Sequence, residues 1–325
     1  MNAKQDGPIL RGTGTEGARP GISDPNELDI ESLTQIDGGA APKKAGVKYG
    51  DTGRPFRVFP APQPLKGHGP ARIIAMANQK GGVGKTTTSI NLAASLAADG
   101  RRVLAIDFDP QGALSAGLAV KTHDVPTIYD LLIGTERDAR NAIQHTLVPN
   151  LDVIPANIDL SAAEVHLVNE VARETILARV LRSVTPEYDV IIVDCQPSLG
   201  LLTVNALTAA HGVLVPLECE YFALRGVALL IETIEKVKDR LNPQLQLDGI
   251  LATMYDPRTL HAREVLERVV DTFGDAVLET VIRRTVKFPD ASVAGLPLLE
   301  YAPDHPAAEA YRQVGRELIF RGAAA

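Results

Sequence analysis

The stretch Gln79-Lys-Gly-Gly-Val-Gly-Lys-Thr-Thr-Thr88 decides the fold of this chain. It follows a short apolar run, Arg72-Ile-Ile-Ala-Met-Ala77, and it opens a helix-like segment that extends from Thr86 to Ala98. This order of strand, glycine-rich loop and helix is typical of a phosphate-binding loop, because glycines let consecutive backbone N–H groups approach phosphate oxygens where a Cβ would obstruct them. The local sequence therefore predicts a triphosphate site at the start of a helix.

The residue types in this loop suit a triphosphate that is bound with magnesium. Lys85 can place its ammonium group between the outer phosphates, Thr86 can offer its hydroxyl to Mg²⁺, and the helix N-terminus adds the positive end of its dipole. The common pattern G-x-x-x-x-G-K-[ST] requires glycine at position 79, where this chain has Gln79, so the loop belongs to a narrower class. The predicted nucleotide-binding residues of the loop are Lys80, Gly81, Gly82, Val83, Gly84, Lys85, Thr86 and Thr87.

Short apolar runs recur along the chain and alternate with segments of helix length. Strands that alternate with helices form parallel sheets, so this pattern predicts an α/β fold with a doubly wound, mostly parallel sheet and helices on both faces. The runs are apolar at successive positions, as expected for strands that are covered on both sides. The further predicted strands are Val103–Asp107, Leu151–Pro155, Val190–Asp194, Gly212–Pro216 and Leu247–Ala252.

Composition changes near residue 70 and predicts the domain organisation. Residues 1–70 are rich in Gly, Pro and charge, without sustained apolar periodicity, and we expect a disordered N-terminal extension. Residues 1–40 carry three basic and seven acidic side chains, whereas residues 41–70 carry six basic and one acidic, which fits either an interaction tail or a solvated leader. Residues 71–325 contain no internal linker or fixed-period repeat and are predicted to form one domain.

Bulk composition disfavours several classes of protein. Because the sequence has neither a long uninterrupted apolar run nor an apolar leader, it predicts a cytoplasmic protein without a membrane span. Cys195 and Cys219 lack CxxC spacing, so they indicate buried apolar positions instead of a disulfide framework or a zinc site. The formal net charge of −7 argues against a uniformly basic nucleic-acid binder, and any DNA contact must come from a local patch.

Two predicted strands end in carboxylates. In Ala105-Ile-Asp-Phe-Asp-Pro-Gln-Gly112, Asp107 and Asp109 are two residues apart, which directs both side chains the same way at the carboxyl edge of the sheet. In Tyr188-Asp-Val-Ile-Ile-Val-Asp194, an apolar run ends in a carboxylate, the form of a Walker B strand. Ligands of open α/β folds bind at this edge, so the carboxylates are expected beside the phosphate loop.

These motifs resemble those of the ParA/MinD group of ATPases, and within it the ParA/Soj chromosome-partitioning family. The segment from Lys80 to Thr86 resembles the deviant Walker A box of the group, and the stretch around Asp107 resembles its switch I box. The resemblance implies a P-loop ATPase that converts ATP and water to ADP and phosphate with Mg²⁺. It implies that Thr86, Asp107 and Asp194 hold the metal.

The resemblance also implies catalytic roles. Lys85 contacts the phosphates, Asp109 positions the attacking water or accepts its proton, and Lys80 reaches the partner subunit's phosphates in a dimer that sandwiches two nucleotides. The family usually has two prolines shortly after the residue that matches Asp194, and Gln196 replaces the first of them here. This departure is compatible with metal binding but leaves the geometry of the following switch, and the hydrolysis rate, open.

The similarity extends over roughly residues 71–319. The segment Thr253–Thr259 resembles the one that borders adenine, which implies Met254 and Asp256 as nucleotide-binding residues. The segment Ile282–Ala291 follows the closing pattern of the family, where ParA proteins place basic residues on nonspecific DNA. A solvated charged patch is the alternative, because residues 71–325 carry a net charge of −8. The DNA-binding candidates are Arg258, Arg263, Arg283, Arg284 and Lys287.

The resemblance implies a homodimer on ATP binding, nonspecific double-stranded DNA and a ParB-like protein as partners, no membrane, and a nucleoid-associated role in chromosome or plasmid partitioning. The alternative is a nucleotide-gated cargo-positioning or scaffold protein with weak or no hydrolysis. A MinD-like membrane cycle is disfavoured because Glu317–Ala325 offers no amphipathic membrane helix. An iron–sulfur carrier is disfavoured because of the cysteine spacing.

Overall fold

The computed structural model describes residues 46–220 and 223–325. Their centre is a seven-stranded sheet with the order β3-β4-β2-β5-β1-β6-β7. All pairings are parallel except that of β3 with β4, which is antiparallel. The strands are β1 Arg72–Met76, β2 Val103–Phe108, β3 Gln144–His145, β4 Leu151–Ile154, β5 Val190–Cys195, β6 Gly212–Glu218 and β7 Gln246–Thr253.

The doubly wound, mostly parallel sheet predicted from the sequence is confirmed, with each of the six predicted strands in place. Strands β2 and β5 are buried along their whole length, which explains why their sequences are apolar at both alternations. The remaining strand, β3, was not predicted, because two residues at a sheet edge carry no periodic signal.

Helices cover both faces of the sheet. The helices are α1 Lys85–Ala98, α2 Ala113–Gly117, α3 Ile128–Ile133, α4 Ala163–His166, α5 Ile176–Leu181, α6 Leu201–Ala209, α7 Ala223–Arg240, α8 Leu260–Phe273, α9 Lys287–Val293, α10 Leu298–Tyr301 and α11 Pro306–Phe320. Short 3₁₀ helices lie at Ala139–Ala142, Ile158–Ala162, Leu167–Asn169, Arg173–Thr175, Thr185–Glu187 and Gly274–Ala276.

Two apolar cores, one on each face of the sheet, hold these layers together. Residues of α1, α2, α9, α10 and α11 form the first core, in which Tyr311 and Leu92 are fully buried. Residues of α3, α5, α6, α7 and α8 form the second. Burial of apolar area is the main favourable contribution to folding, so these two cores hold the sheet in position. The carboxyl edge of the sheet carries the ends of β1, β2, β5 and β6.

The segment 46–70 differs from the disordered extension that the sequence predicts. It has no helix or strand of its own, but Arg54 donates to the carbonyl of Val277 at 2.7 Å and to that of Gly274. Phe59 is buried, its ring centroid lies 5.6 Å from that of Phe320, and its N–H donates to Gln313 Oε1 at 2.8 Å. The first 45 residues of the predicted extension lie outside the described residues.

A buried carboxylate fixes the end of this segment. Asp189, just before β5, accepts hydrogen bonds from the Gly69 N–H at 2.8 Å and the Arg102 N–H at 2.7 Å, and its Oδ2 lies 2.8 Å from His68 Nδ1. The segment is thus held by individual contacts of an aromatic ring, an arginine and a carboxylate, and not by a helix or a strand. They leave no periodicity in the sequence, so pattern analysis does not detect them.

Candidate nucleotide site and basic surface

The glycine-rich loop connects the end of β1 to the start of α1. Gly82 and Gly84 have φ values of 76° and 84°, in the left-handed region that side chains other than glycine adopt at a cost. Gly84 immediately precedes α1, and no cap from a side chain satisfies the first N–H groups of this helix. These groups remain directed at the loop, as a phosphate-binding helix start requires.

Lys85 enters the site from the first turn of α1. Its side chain is buried, and its Nζ donates a hydrogen bond to the carbonyl of Lys80 at 3.1 Å. Burial lowers the pKa of Lys85, and the charge of Asp194 acts in the opposite direction. A buried ammonium group beside a carboxylate and an exposed glycine loop is suited to binding an anion.

Asp107 and Asp194 form a pair of buried carboxylates at the ends of adjacent strands. The register of β2 and β5 places the two residues directly opposite each other. Asp107 Oδ2 accepts hydrogen bonds from the backbone N–H and the hydroxyl of Ser115, at 2.8 and 2.7 Å. Asp194 Oδ1 accepts one from the Ser89 hydroxyl at 2.8 Å, whereas its buried Oδ2 has no hydrogen-bond partner.

The environment of this pair disfavours two negative charges. Burial, followed by the charge of Asp107, raises the pKa of Asp194 to about 7. Burial also raises the pKa of Asp107 to about 6, against the hydrogen bonds from Ser115. Two buried carboxylates with an unpartnered oxygen between strands need a positive charge to remain ionised at neutral pH.

These residues fit a magnesium ion. Carboxylate and hydroxyl oxygens are the ligands that Mg²⁺ takes, and the ion usually keeps waters and substrate phosphates for its other positions. The side chain of Thr86 lies close enough to Asp194 to lower the pKa of that carboxyl group. No group of three or more His, Cys, Asp or Glu side chains arranged for a metal occurs in residues 46–220 and 223–325.

Asp109 and Gln196 lie beside the pair but in different surroundings. Asp109 is half-buried, accepts a hydrogen bond from the Gln111 N–H at 2.9 Å, and its charge acts on Lys85. Gln196 donates from its backbone to Phe108 O at 3.3 Å and from Nε2 to Glu164 Oε1 at 3.2 Å. The side chain that replaces the expected proline therefore ties the loop after β5 to α4.

The predicted adenine segment borders the phosphate loop. The Thr253 hydroxyl donates to Val83 O at 2.8 Å, and a Cβ placed on Gly84 would lie 3.8 Å from Met254 Cε. Met254 has a φ of 51°, a strained conformation for a residue other than glycine. Asp256 faces the basic surface, because both of its carboxylate oxygens accept hydrogen bonds from Arg258, at 2.9 and 2.7 Å.

Lys80 lies outside the buried part of the site. Its Nζ donates to Glu218 Oε2 at 3.2 Å and to Glu220 Oε2. Partial burial lowers the pKa of Lys80, but the hydrogen bonds and charges of Glu220 and Glu218 outweigh this effect and raise it. In a single subunit this lysine is therefore held by carboxylates of β6 and the loop that follows it.

The four arginines among the predicted DNA-binding residues are exposed, and Lys287 is half-buried. Most of these residues are paired with carboxylates. Arg258 pairs with Asp256, as described above. Arg283 contacts Asp51 of the N-terminal segment at 2.9 Å, and Arg284 contacts Glu218 at 2.9 Å. Lys287 contacts Asp290 at 3.1 Å. For Arg263, exposed on α8, residues 46–220 and 223–325 show no ion pair. A bridge between Tyr255 and Arg283 brings the two parts of the surface together.

Sequence analysis did not find the side chains that form hydrogen bonds with the predicted site residues. Ser89 and Ser115 orient the two buried carboxylates, and Glu218 and Glu220 hold Lys80. Ser89 is one helical turn beyond Thr86, so its spacing in the sequence carried a usable signal. Glu218 and Glu220 carried no such signal, because their contacts with the loop span 138 and 140 residues of sequence.

The fold and this site define the class of protein, a P-loop nucleoside triphosphatase. The sequence profile of a family described as "AAA domain" matches residues 71–247. An uncharacterised protein of Mycobacterium tuberculosis is 57% identical over 85% of this chain and 87% of its own length. The chromosome-partitioning ATPase Soj of Treponema pallidum is 47% identical over 77% of this chain and 98% of its own.

A solved structure from Mycobacterium smegmatis is also similar. It is described as cobyrinic acid a,c-diamide synthase with bound ADP and magnesium, and it is 41% identical over 77% of this chain and 94% of its own, with a TM-score of 0.68. The present chain belongs to the Soj/ParA family of chromosome-partitioning ATPases. It is an ATPase that uses ATP and magnesium and releases ADP and phosphate.

Among the helices in residues 46–220 and 223–325, none combines the length and the apolar character needed to cross a bilayer.

Proposed function

We propose that ATP binding drives two copies of this chain into a sandwich dimer, that the dimer binds nonspecific duplex DNA, and that a ParB-like partner stimulates the hydrolysis that releases it. The output is chromosome or plasmid partitioning on the nucleoid. The observation that carries the proposal is the position of Lys80. It lies at the start of the phosphate loop yet outside the buried part of the site, and two carboxylates that can be exchanged for other anions hold it. In this position it can reach the nucleotide of a second subunit.

Within one subunit, Lys85 and the N–H groups of the loop bind and orient the phosphates. Thr86, Asp107 and Asp194 hold magnesium, which when bound supplies positive charge that neutralises phosphate oxygens. Asp109 is close enough to exert its charge on Lys85, and in our proposal it orients the attacking water and accepts its proton. Met254 and Asp256 border the base.

Phosphoryl transfer depends mainly on positioning and on neutralisation of charge, so a subunit without a partner is expected to hydrolyse ATP slowly. Lys80 adds a positive charge in trans, as an arginine finger does in other P-loop enzymes. The dimer is therefore expected to form only when the subunits carry the triphosphate. Hydrolysis removes the group that Lys80 contacts and favours the monomer.

The surface formed by Arg258, Arg263, Arg283, Arg284 and Lys287 provides the proposed contact with DNA. These side chains extend from loops and helix starts next to the adenine segment, a geometry that suits phosphate contacts without base readout. The carboxylates that pair with them weaken each contact. A dimer presents the surface twice, and this avidity helps to overcome the acidic net charge.

Two observations favour other functions. Gln196 ties the loop after β5 to Glu164, which would suit a nucleotide-gated scaffold with slow or no hydrolysis. The name of the M. smegmatis structure suggests an ATP-dependent synthase of amides. The cysteines argue against this second function. Both cysteines of the chain, Cys195 and Cys219, are buried, so neither is an exposed nucleophile that could release nitrogen from a donor.

Binding of nonspecific duplex DNA by the purified protein tests the proposal. It is measured with ATP, ADP or no nucleotide at two salt concentrations, beside the variant Lys85→Ala and alongside sedimentation. We expect salt-sensitive binding that requires ATP and is lost in the variant. If ATP drives dimerisation but the dimer binds no DNA, the scaffold function is correct instead. If ATP neither dimerises the protein nor promotes DNA binding, both functions are rejected.

A further inference from the structure

Glu218 contacts two cations that have different roles in the proposed function. It is the last residue of β6, and its side chain is only 12% exposed. Its Oε2 accepts from Lys80 Nζ at 3.2 Å, and its Oε1 accepts from Arg284 Nη2 at 2.9 Å. One carboxylate is thus shared between the lysine beside the phosphate loop and an arginine of the basic surface.

The backbone around these three residues is held in place. The Arg284 N–H donates to Tyr255 O at 3.1 Å, and the Tyr255 N–H donates to Ile282 O at 3.1 Å. Thr253, two residues before Tyr255, holds the phosphate loop through Val83. The Cα positions of Lys80, Glu218 and Arg284 are therefore fixed relative to one another, and what can exchange is the partner of each charged side chain.

The exposures of the three side chains support such an exchange. Lys80 and Arg284 are 41% and 64% exposed, so both can turn towards another anion, whereas Glu218 is largely shielded from solvent. A carboxylate shielded from water attracts cations more strongly than an exposed one does, because screening is weaker. Glu220 differs, since it is 54% exposed and its only ion pair within the described residues is with Lys80, although the more distant charge of Arg284 also acts on it.

We propose that Glu218 is a positioning residue that holds Lys80 and Arg284 in the free subunit and competes with phosphate groups for both of them. This inference rests on the proposed function, in which Lys80 moves to the nucleotide of a partner subunit and Arg284 moves to DNA. Glu218 thereby sets how much protein is needed for the ATP-bound dimer and how strongly the basic surface binds DNA.

The shared carboxylate also links the two cations. Lys80 and Arg284 repel each other while both contact Glu218, so removal of one strengthens the attraction of Glu218 for the other. Loss of the Arg284 charge should therefore draw Lys80 more firmly to Glu218 and make the dimer harder to form. This effect should be much smaller without the Glu218 charge, because only Glu220 then attracts both cations.

Sedimentation of the full chain with ATP and magnesium tests this link without DNA. The dimerisation midpoint is compared for wild type, Glu218→Gln, Arg284→Gln and the double variant, with Glu232→Gln as a matched control, because Glu232 pairs with Lys236 on α7. We expect Glu218→Gln to lower the midpoint about threefold to tenfold. Arg284→Gln should raise the midpoint about twofold in the wild-type background and change it much less in Glu218→Gln.

Two results overturn the proposal. One is a Glu218→Gln protein that melts like wild type yet dimerises at the wild-type midpoint or above it. The other is an Arg284→Gln effect of equal size in both backgrounds. Glutamine has the shape of glutamate, so the melting temperature separates loss of charge from loss of fold.

A second measurement, affinity for nonspecific duplex DNA with ATP at low salt, examines Arg284. We expect Glu218→Gln to bind about threefold more tightly than wild type. Glu220→Gln should show a smaller gain, because Glu220 acts on Arg284 only through its charge and forms no ion pair with it. If both variants gain equally, general charge loss explains the effect and Glu218 has no special role.

If wild type dimerises but binds no DNA, the DNA part of the proposed function fails, while the dimerisation midpoints of the four proteins still decide the role of Glu218. If ATP produces no dimer, the DNA affinities decide it.

Discussion

Asp107 and Asp109 lie two residues apart, yet their surroundings differ. Asp107 is fully buried, bonded to Ser115 and opposite Asp194, whereas Asp109 is half-buried, with the Gln111 N–H as its hydrogen-bond donor. A buried carboxylate next to another is suited to a cation, and a more accessible one is suited to exchanging a proton with water. The difference supports the roles that we propose for the two.

The substitution Asp109→Asn separates these roles. We expect kcat for ATP hydrolysis to fall about a hundredfold or more, because the amide cannot accept the proton, while the affinity for ATP and magnesium stays within about threefold of wild type. Asp271→Asn, an exposed position on α8, serves as the control. An unchanged kcat would remove Asp109 from the catalytic set.

The raised pKa of Asp194 gives a prediction about stability without nucleotide or metal. Because its pKa is raised from 3.8 to about 7, the folded state holds its proton more tightly than the unfolded state. The resulting stabilisation is complete below the ordinary aspartate pKa and is lost as pH rises through about 7. Above that pH the folded protein contains a buried pair of like charges.

Asp194→Asn removes this cost. We expect the free energy of unfolding of the metal-free protein to rise by roughly 1 to 3 kcal/mol at pH 8 and to change much less at pH 5. Urea denaturation with a chelator at both pH values measures it. Equal effects at both pH values would contradict the assignment. Magnesium-dependent nucleotide binding should weaken in the same variant.

At the scale of elements, the segment 46–70 depends on a few anchors. Phe59 is buried against Phe320, whereas Phe56 on the same segment is 52% exposed. Phe59→Ala should lower the free energy of unfolding by about 3 kcal/mol, because it removes a buried aromatic ring, and Phe56→Ala should change it little. Hydrogen exchange checks the local effect, with faster exchange expected near Gln313 only in Phe59→Ala.

The elements that the sequence predicted are those with repeated signals. Apolar runs located six strands, and the glycines located the loop and the start of α1 within one residue. The segment 46–70 and β3 lacked such signals. In the candidate site, motifs predicted Lys85, Asp107 and Asp194 as functional residues, and the structure brings these three together. The ion pairs of Lys80 and Arg283 join residues far apart in sequence. Such contacts follow only from the folded chain.

At the scale of the whole molecule, net charge opposes DNA binding. The chain carries a formal charge of −7, and the carboxylates Asp51, Glu218, Asp256 and Asp290 each neutralise one residue of the basic surface. Binding to a polyanion therefore depends on cations that exchange a carboxylate for a phosphate group, as proposed for Arg284, and on cations that are not already paired. Arg263 is the candidate of this kind on the described surface, because residues 46–220 and 223–325 provide no ion pair for it.

This difference predicts the dependence of DNA affinity on salt. Each cation that binds a phosphate group releases counterions, so the slope of log K against log salt changes by about 0.9 for each such cation that is removed. In an ATP-bound dimer, Arg263→Gln should reduce the magnitude of the slope by about 2, because one cation is removed from each subunit. Arg258→Gln should reduce the magnitude of the slope less, because Asp256 already neutralises that side chain.

Arg240→Gln, at the exposed end of α7, is the control and should leave the slope unchanged. Equal slopes for Arg263→Gln and wild type would exclude Arg263 from the DNA interface and direct attention to the paired arginines, whose release would then have to accompany binding.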